Sequence, residues 1–248
     1  MGLGTTAALS AIFTHVARAD KEKSIAVFLN ASFMNYTFLG LAVVYVIGGA
    51  LPSVTAVDAL GMASIYAVTM GVVHLTVGVA LAASSSSEKK PSLRSITLSI
   101  LTFPAAFALI VALLFVGFNV TWPMELQSWV DMFANPAVFL MLLAAGYHMP
   151  VVDPRKYLPT ISLVGFIRLL VCPLVTYGAI TLAGVGQTVA TTALILAAMP
   201  PAVFNIILAE KFDLDLELYS ATIFYLTLIS LFISVPLIVH FFMGVSLI

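Results

Sequence analysis

Two consecutive prolines, Pro200 and Pro201, lie in the middle of the apolar stretch AAMPPAVFNIILAEKF at residues 197–212. Successive prolines remove two backbone donors and clash with the preceding turn, so a helix entering from residue 188 cannot continue through them. Residues 189–199 and 202–209 on either side carry no charge. The break is therefore expected at membrane depth, where irregular backbone is tolerated only when it is buried in protein or lines a cavity.

The composition indicates that the whole chain is a membrane protein. Of its 248 residues, 62% are hydrophobic and 8% are charged, whereas soluble domains contain about 25% charged residues. The net charge of -1 gives no reason to expect nucleic acid as a partner. Cys172 is the only cysteine in the sequence, so a disulfide framework is excluded. We expect a polytopic protein in contact with the lipid bilayer, without a metal ion or other cofactor.

Apolar segments separated by short polar loops predict eight membrane-spanning helices. The predicted spans are residues 3–17, 24–49, 59–83, 95–118, 129–149, 158–183, 188–209 and 218–245. The first span is shorter than the roughly 20 residues that cross a bilayer. The stretch SSSSEKKPSLR at residues 84–94 is predicted to be a cytoplasmic linker between residues 1–83, with three helices, and residues 95–248, with five.

Lysine and arginine alternate between the predicted loops. They occupy the first, third, fifth and seventh loops, whereas the other loops and the C-terminus contain none. The residues in these four loops are Arg18, Lys21, Lys23, Lys89, Lys90, Arg94, Arg155, Lys156 and Lys211. Because basic loops remain in the cytoplasm, both termini are expected to lie outside.

Two interrupted segments occupy corresponding positions in the two halves. Residues 24–49 contain a polar patch that includes Asn35 and Thr37, and residues 188–209 contain the proline pair. Each segment is followed by one continuous predicted helix. This pattern is typical of transporters built from two structural repeats, and the loop charges make the repeats inverted. The first repeat then lacks two of its five helices. An eight-helix protein without symmetry is the alternative.

Three stretches resemble the auxin efflux carrier family. They are NASFMNYTFLGLAVV from residue 30, FIRLLVCPLV from residue 166, and AAMPPAVFNIILAEKFDLDLELYSATIFYLTLIS from residue 197. The resemblance extends with gaps over nearly the whole chain. It implies a fold of ten helices in two inverted five-helix repeats, with crossed broken helices in fourth and ninth place. The eight spans here correspond to the third to tenth, in a chain shortened at its N-terminus.

The same resemblance implies a function. Members transport small organic anions, carboxylates among them, and occupy the plasma membrane, and related carriers often form homodimers through scaffold helices. The central asparagine of the family corresponds to Asn35, and its crossover proline corresponds to Pro200. One departure is Met34, since the family usually has a proline just before this asparagine or a few residues after it.

The residues near the two breaks suggest how an anion is bound. Half-helix N-termini carry partial positive charge and free N–H groups, which suit a carboxylate. Pro201 is expected to start the second half-helix, where its missing donor costs little. Thr37 and Asn205 are candidate contacts. Asn205, about one turn beyond the second break, is equally suited to bond a neighbouring helix.

Further polar residues lie within the predicted spans. Arg168 is suited either to attract the anion or to tie carbonyl groups at the broken-helix ends. Asn135, followed by Pro136, is expected to open or kink the fifth segment and is a candidate for substrate contact. His15 and His74 are suited to proton relay or to a structural hydrogen bond.

Enzyme function is not expected, because the sequence lacks the usual hydrolase, phosphate-loop and metal-site motifs. The sequence therefore predicts an organic-anion carrier that works by alternating access. Two alternatives remain open. One is a non-transporting membrane fragment or interaction protein of the same fold. The other is a sodium-coupled symporter of the bile-acid type, which shares the crossed-helix plan.

Overall fold

The computed structural model describes residues 20–50, 54–85, 94, 111, 114–115, 117–120, 123–147 and 152–243. Regular structure in these residues is helical apart from one isolated bridge, which agrees with the predicted all-α class. The helices are α1 (Lys21–Ser32), α2 (Tyr36–Ala50), α3 (Ala56–Ser84), α4 (Met124–Tyr147), α5 (Pro154–Ala183), α6 (Gln187–Ala197), α7 (Phe204–Lys211) and α8 (Leu216–Phe241).

Three of the described helices, α3, α5 and α8, are long and apolar enough to cross a membrane. They coincide with the predicted spans 59–83, 158–183 and 218–245, and each begins a few residues earlier than predicted. The shorter apolar helices α2 and α6 belong to the two interrupted segments. The predicted first span and most of residues 95–118 lie outside the described residues.

Helix α4 covers most of the predicted span 129–149 but begins at Met124. Pro136 lies inside this helix. Of the two expectations for Asn135 and Pro136, that they open the segment is therefore wrong, and a kink at this position stays a prediction. In an apolar helix a proline is tolerated where neighbouring groups satisfy the backbone that it frees.

The N-termini of α1, α5 and α8 meet at one end of the bundle, called the charged end below. Asp20 and Asp215 each accept a hydrogen bond from a backbone N–H three residues later, at 2.8 and 3.0 Å, and so cap α1 and α8. The backbone N–H of Asp215 also donates to Glu22 at 2.6 Å. The Tyr157 hydroxyl lies 3.2 Å from Asp215 and 2.9 Å from Glu217. These contacts join three helix starts.

Two helices are interrupted, between α1 and α2 at residues 33–35 and between α6 and α7 at residues 198–203. Both predicted breaks are confirmed. The expectation that Pro201 starts the second half-helix is wrong, because α7 begins at Phe204. Pro201 instead forms the isolated antiparallel bridge with Met34 in the other break. In each half, the broken helix is followed by one long helix, α3 or α8.

Four of the helices contain a wider π-helical turn. These turns are Tyr36–Gly40 in α2, His74–Gly78 in α3, Phe166–Val171 in α5 and Ser230–Ser234 in α8. Single π-helical turns inside α-helices are frequent at functional sites. The first of these turns directly follows Asn35, which lies in the first break. The other three contain His74, Arg168 and Ser230, whose side chains contact residues of the breaks.

Candidate functional site at the crossing of two broken helices

The two breaks are joined by backbone hydrogen bonds. The N–H of Asn35 donates to the carbonyl oxygen of Pro200 at 2.7 Å, and the N–H of Ala202 donates to that of Phe33 at 2.9 Å. These bonds flank the bridge between Met34 and Pro201. Irregular backbone in an apolar interior needs partners for its polar groups, and here each break supplies them to the other.

Arg168 satisfies the carbonyl groups at the C-terminal ends of α1 and α6. Its side chain is 1% exposed. Nε donates to Met199 at 3.1 Å, Nη1 to Ala31 at 3.4 Å and Nη2 to Ala197 at 3.3 Å. The last carbonyls of a helix lack intrahelical partners and carry partial negative charge. Of the two expected roles, this geometry corresponds to the tying of carbonyls at the broken-helix ends.

The next carbonyl of the second break is bonded from α8. Ser230, in the π-helical turn of that helix, donates through Oγ to the carbonyl oxygen of Ala198 at 2.7 Å. Together with Arg168 and Asn35, Ser230 gives partners to the successive carbonyls of residues 197–200. The irregular backbone is thus held on both sides, by α5 and α8.

A cavity of about 170 Å³ adjoins the crossing and is called the crossing cavity. Its lining comes from the first turn of α2, the middle of α3 and the start of α7. The residues are Met34, Asn35, Tyr36, Thr37, Phe38, Gly71, His74, Leu75, Ala202, Val203, Phe204 and Ile207. No Lys, Arg, Asp or Glu is among these lining residues. Both half-helix N-termini border the cavity, so its electrostatic character comes from backbone and neutral polar groups.

Asn35, one of the lining residues, has a side-chain donor without a partner. Its Oδ1 accepts a hydrogen bond from the N–H of Leu39 at 3.2 Å and so caps α2. Its Nδ2 is buried and has no hydrogen-bond partner. A buried polar group that lacks a partner costs free energy, and a ligand acceptor in the cavity removes that cost.

A buried polar chain lies beside the crossing cavity and connects three helices. His74 Nε2 lies 2.8 Å from Asn205 Oδ1, which assigns the ring proton to Nε2 because an amide oxygen only accepts hydrogen bonds. Asn205 Nδ2 donates to the Leu29 carbonyl at 3.1 Å and to Asn30 Oδ1 at 3.0 Å. Asn30 in turn donates to the carbonyl of Ala26 at 3.0 Å. This series of hydrogen bonds fixes α1, α3 and α7 relative to one another.

Aromatic rings enclose the His74 side chain. The Phe33 ring stacks on it with centroids 4.0 Å apart and an interplanar angle of 1°. Phe204 and Tyr36 meet it edge-on, at 5.1 and 6.5 Å between centroids. One wall of the crossing cavity is therefore rigid and largely aromatic.

The residues predicted from sequence fall into separate groups around the crossing. Asn35 and Thr37 line the cavity. Pro200 and Pro201 form the backbone junction between the breaks. Asn205 and Arg168 are fully buried beside the cavity and bonded to protein groups. Asn135 lies in α4, and its side chain is outside the described part of the structure. His15 is outside it as well.

Sequence reasoning missed the aromatic enclosure and the pairing of His74 with Asn205. These two residues are 131 positions apart, so no local motif joins them. The available signal was weaker, namely a histidine and an asparagine in otherwise apolar segments. Within the described residues, no group of three His, Cys, Asp or Glu side chains is suited to hold a metal ion.

Comparison with known families identifies the family of the chain. The chain matches the family described as membrane transport protein over residues 1–239. The chain belongs to this family. The match confirms the resemblance to auxin efflux carriers. The membrane transport protein family is one of transporters rather than enzymes. Comparison with curated proteins finds no match to the chain.

Proposed function

We propose that the protein is a secondary transporter of small organic anions, carboxylates in particular, and that it works by alternating access at the two crossed breaks. The observation that carries this proposal is the buried, unpartnered Nδ2 group of Asn35, a residue that lines the crossing cavity. A carboxylate oxygen accepts a hydrogen bond from this group. The other lining residues leave space for the small apolar part of the carboxylate ligand.

The electrostatics of the crossing favour an anion without a basic side chain in the cavity. Each break exposes one C-terminal and one N-terminal helix end, with partial charges of opposite sign. Arg168 neutralises the two C-terminal ends through Ala31, Ala197 and Met199. The N-terminal ends of α2 and α7, which border the cavity, are left to act on the ligand.

The proposed mechanism moves the crossed segments as one unit. Because two backbone hydrogen bonds join the breaks, displacement of one break carries the other with it. At the charged end, hydrogen bonds join Asp215 to Glu22 and Tyr157. Opening at this end requires these contacts to separate. The distribution of lysine and arginine favours an orientation in which the charged end faces the cytoplasm. In this proposal the protein lies in the plasma membrane, and both termini are outside the cell.

Sodium coupling lacks support at this site. In transporters with broken helices, unwound backbone carbonyls and half-helix C-terminal ends coordinate sodium ions. Here the carbonyls of residues 197–200 already accept hydrogen bonds from Arg168, Ser230 and Asn35. The unpartnered donor of Asn35 favours an anion over a cation.

A ligand screen tests the proposal directly. The purified chain in detergent is heated with formate, acetate, butyrate, lactate and malonate, and the unfolding temperature is recorded for each. We expect at least one carboxylate to raise this temperature in a concentration-dependent way. Asn35→Ala abolishes the rise, and the exposed control Thr69→Ala keeps it. Absence of any shift from a folded, monodisperse sample contradicts the proposal and favours a non-transporting membrane protein of the same fold.

A further inference from the structure

A second cavity, of about 270 Å³, shares Met34 with the crossing cavity and is otherwise lined mainly from α3, α5 and α6. Residues that characterise its lining are Met34, Tyr66, Cys172, Ile180, Leu196 and Ala197. It extends to Ala183 and Val185 at the C-terminal end of α5, away from the charged end. The lining side chains are mainly apolar, so the space suits a hydrocarbon chain rather than a charged group.

Met34 is common to the linings of both cavities. Its backbone is fixed by the bridge to Pro201 and by the hydrogen bonds of Phe33 and Asn35 on either side. Its side chain is 6% exposed, and Sδ lies 3.3 Å from Nη2 of Arg168. Met34, directly beside Asn35 in the sequence, therefore borders both spaces from a fixed position.

The crossing cavity beside Asn35 is small. Its volume is about 170 Å³, whereas ligand pockets for larger molecules usually occupy about 300–1,000 Å³. A carboxylate held at Asn35 therefore has space for a short chain there, and a longer chain reaches the apolar surface of the second cavity only by passing Met34.

We propose that Met34 determines the chain length of the transported carboxylate by separating the crossing cavity from the second cavity. This inference rests on the proposed function, because it takes Asn35 as the site of the carboxylate. The Met34 side chain is called the partition below. When it is shortened, the alkyl chain of a longer straight-chain monocarboxylate enters the second cavity, while the carboxylate stays at Asn35.

Shortening this side chain leaves the crossing itself in place. Met34→Ala removes the weak contact of sulfur with Arg168. The three carbonyl contacts of Arg168 and the two backbone bonds between the breaks do not involve the Met34 side chain. Met34→Val is a second variant, since a β-branched residue suits the extended backbone of the bridge and also removes the long reach. Met199→Ala is the matched control, because Met199 is also buried at the crossing but lines neither cavity.

The first measurement is the affinity for acetate, butyrate and hexanoate, taken from the concentration dependence of the unfolding temperature. In the wild type we expect affinity to stop rising, or to fall, beyond butyrate. In Met34→Ala we expect hexanoate to gain about fourfold per additional methylene that enters the second cavity, or more than tenfold relative to butyrate. Met199→Ala keeps the wild-type order.

The second measurement does not depend on thermal unfolding. Cys172 is the only cysteine of the chain and lines the second cavity, so its alkylation by N-ethylmaleimide reports on occupation of that space. We expect hexanoate to slow the alkylation in Met34→Ala and Met34→Val but not in the wild type. Acetate slows it in none of them.

The outcomes separate this inference from the proposed function. If short carboxylates stabilise the wild type and the chain-length order is the same in both Met34 variants, the partition is contradicted and the proposed function stands. Equal protection of Cys172 by hexanoate in the wild type also contradicts the partition. If no carboxylate stabilises or protects any variant, the proposed function itself is contradicted and the inference falls with it.

Discussion

The backbone N–H of Asn35 donates a hydrogen bond to the carbonyl oxygen of Pro200 at 2.7 Å. The two residues come from different halves of the chain, and each lies in the break of a helix. Pro200 has no N–H to satisfy, so its carbonyl is the group that needs a partner in the apolar interior. The bond therefore couples the two breaks and brings the Asn35 side chain to the edge of the cavity between them.

Substitution of Arg168 tests the anchoring of the half-helix ends. Arg168→Met leaves three buried carbonyl groups without their charged partner, and hydrogen bonds to charged groups contribute about 1.5–3 kcal/mol each. We expect a loss of several kcal/mol in the free energy of unfolding, measured by denaturant titration in detergent. Arg168→Lys retains the charge but lacks the planar fork, so its loss is smaller. Arg155→Met, at an exposed position, is the control. Equal stability of Arg168→Met and this control is incompatible with the anchoring role.

Gly40 tests how closely α2 approaches the second broken helix. A Cβ atom added there lies 2.9 Å from Cδ2 of Leu196 and 3.0 Å from the carbonyl oxygen of Asn35. Because the second neighbour is backbone, Gly40→Ala forces a shift at the crossing, and we expect a loss of about 1–3 kcal/mol. At Gly178 in α5, an added Cβ meets nothing within 4 Å. Gly178→Ala should therefore be neutral or gain up to about 1 kcal/mol from helix propensity. Unfolding curves that rank the two variants in the opposite order exclude this packing.

The hydrogen bond between His74 and Asn205 is tested by a double-mutant cycle. His74→Phe keeps an aromatic ring against Phe33 but leaves Asn205 Oδ1 without its donor. Asn205→Leu removes the acceptor. We expect the double variant to be more stable than the sum of the single losses predicts, with a coupling energy of about 1–2 kcal/mol. The control cycle combines His74→Phe with Thr181→Ala, an exposed position in α5, and should be additive. Additivity of both cycles rules out the buried polar chain as an energetic unit.

Much of the fold follows from local sequence, because its causes are local. Pro200 and Pro201 cannot continue a helix, so the second break was predictable. Long apolar segments predict α3, α5 and α8 in the same way. The start of α7 was not predictable, because Pro201 is held in extended form by Met34, far away in the sequence. A single sequence does not contain that pairing.

In the candidate site, too, the residues with a local sequence signal were predictable, and the contacts between residues distant in sequence were not. Asn35 and Thr37 stood out as polar residues in an apolar segment, and both line the crossing cavity. The two roles of Arg168 were indistinguishable from sequence, because the choice depends on which carbonyls lie within reach of its guanidinium. Likewise, the stacking of Phe33 on His74 is a tertiary contact without a sequence pattern. What remained beyond prediction is which polar groups are already paired and which are left for a ligand.

The central claim is that the free amide donor of Asn35 binds the transported anion. Its most direct test is exchange of radiolabelled acetate across proteoliposomes that contain the wild type, Asn35→Gly or Asn35→Ala. Glycine is tolerated at a helix N-cap at a cost of only a few tenths of a kcal/mol relative to asparagine, and it has no side-chain donor, so Asn35→Gly separates the capping role of Asn35 from the binding role. We predict that both variants remain folded and that both lose exchange by at least about tenfold, the effect of one lost hydrogen bond to a charged group. Exchange by folded Asn35→Gly at the wild-type rate would contradict the claim.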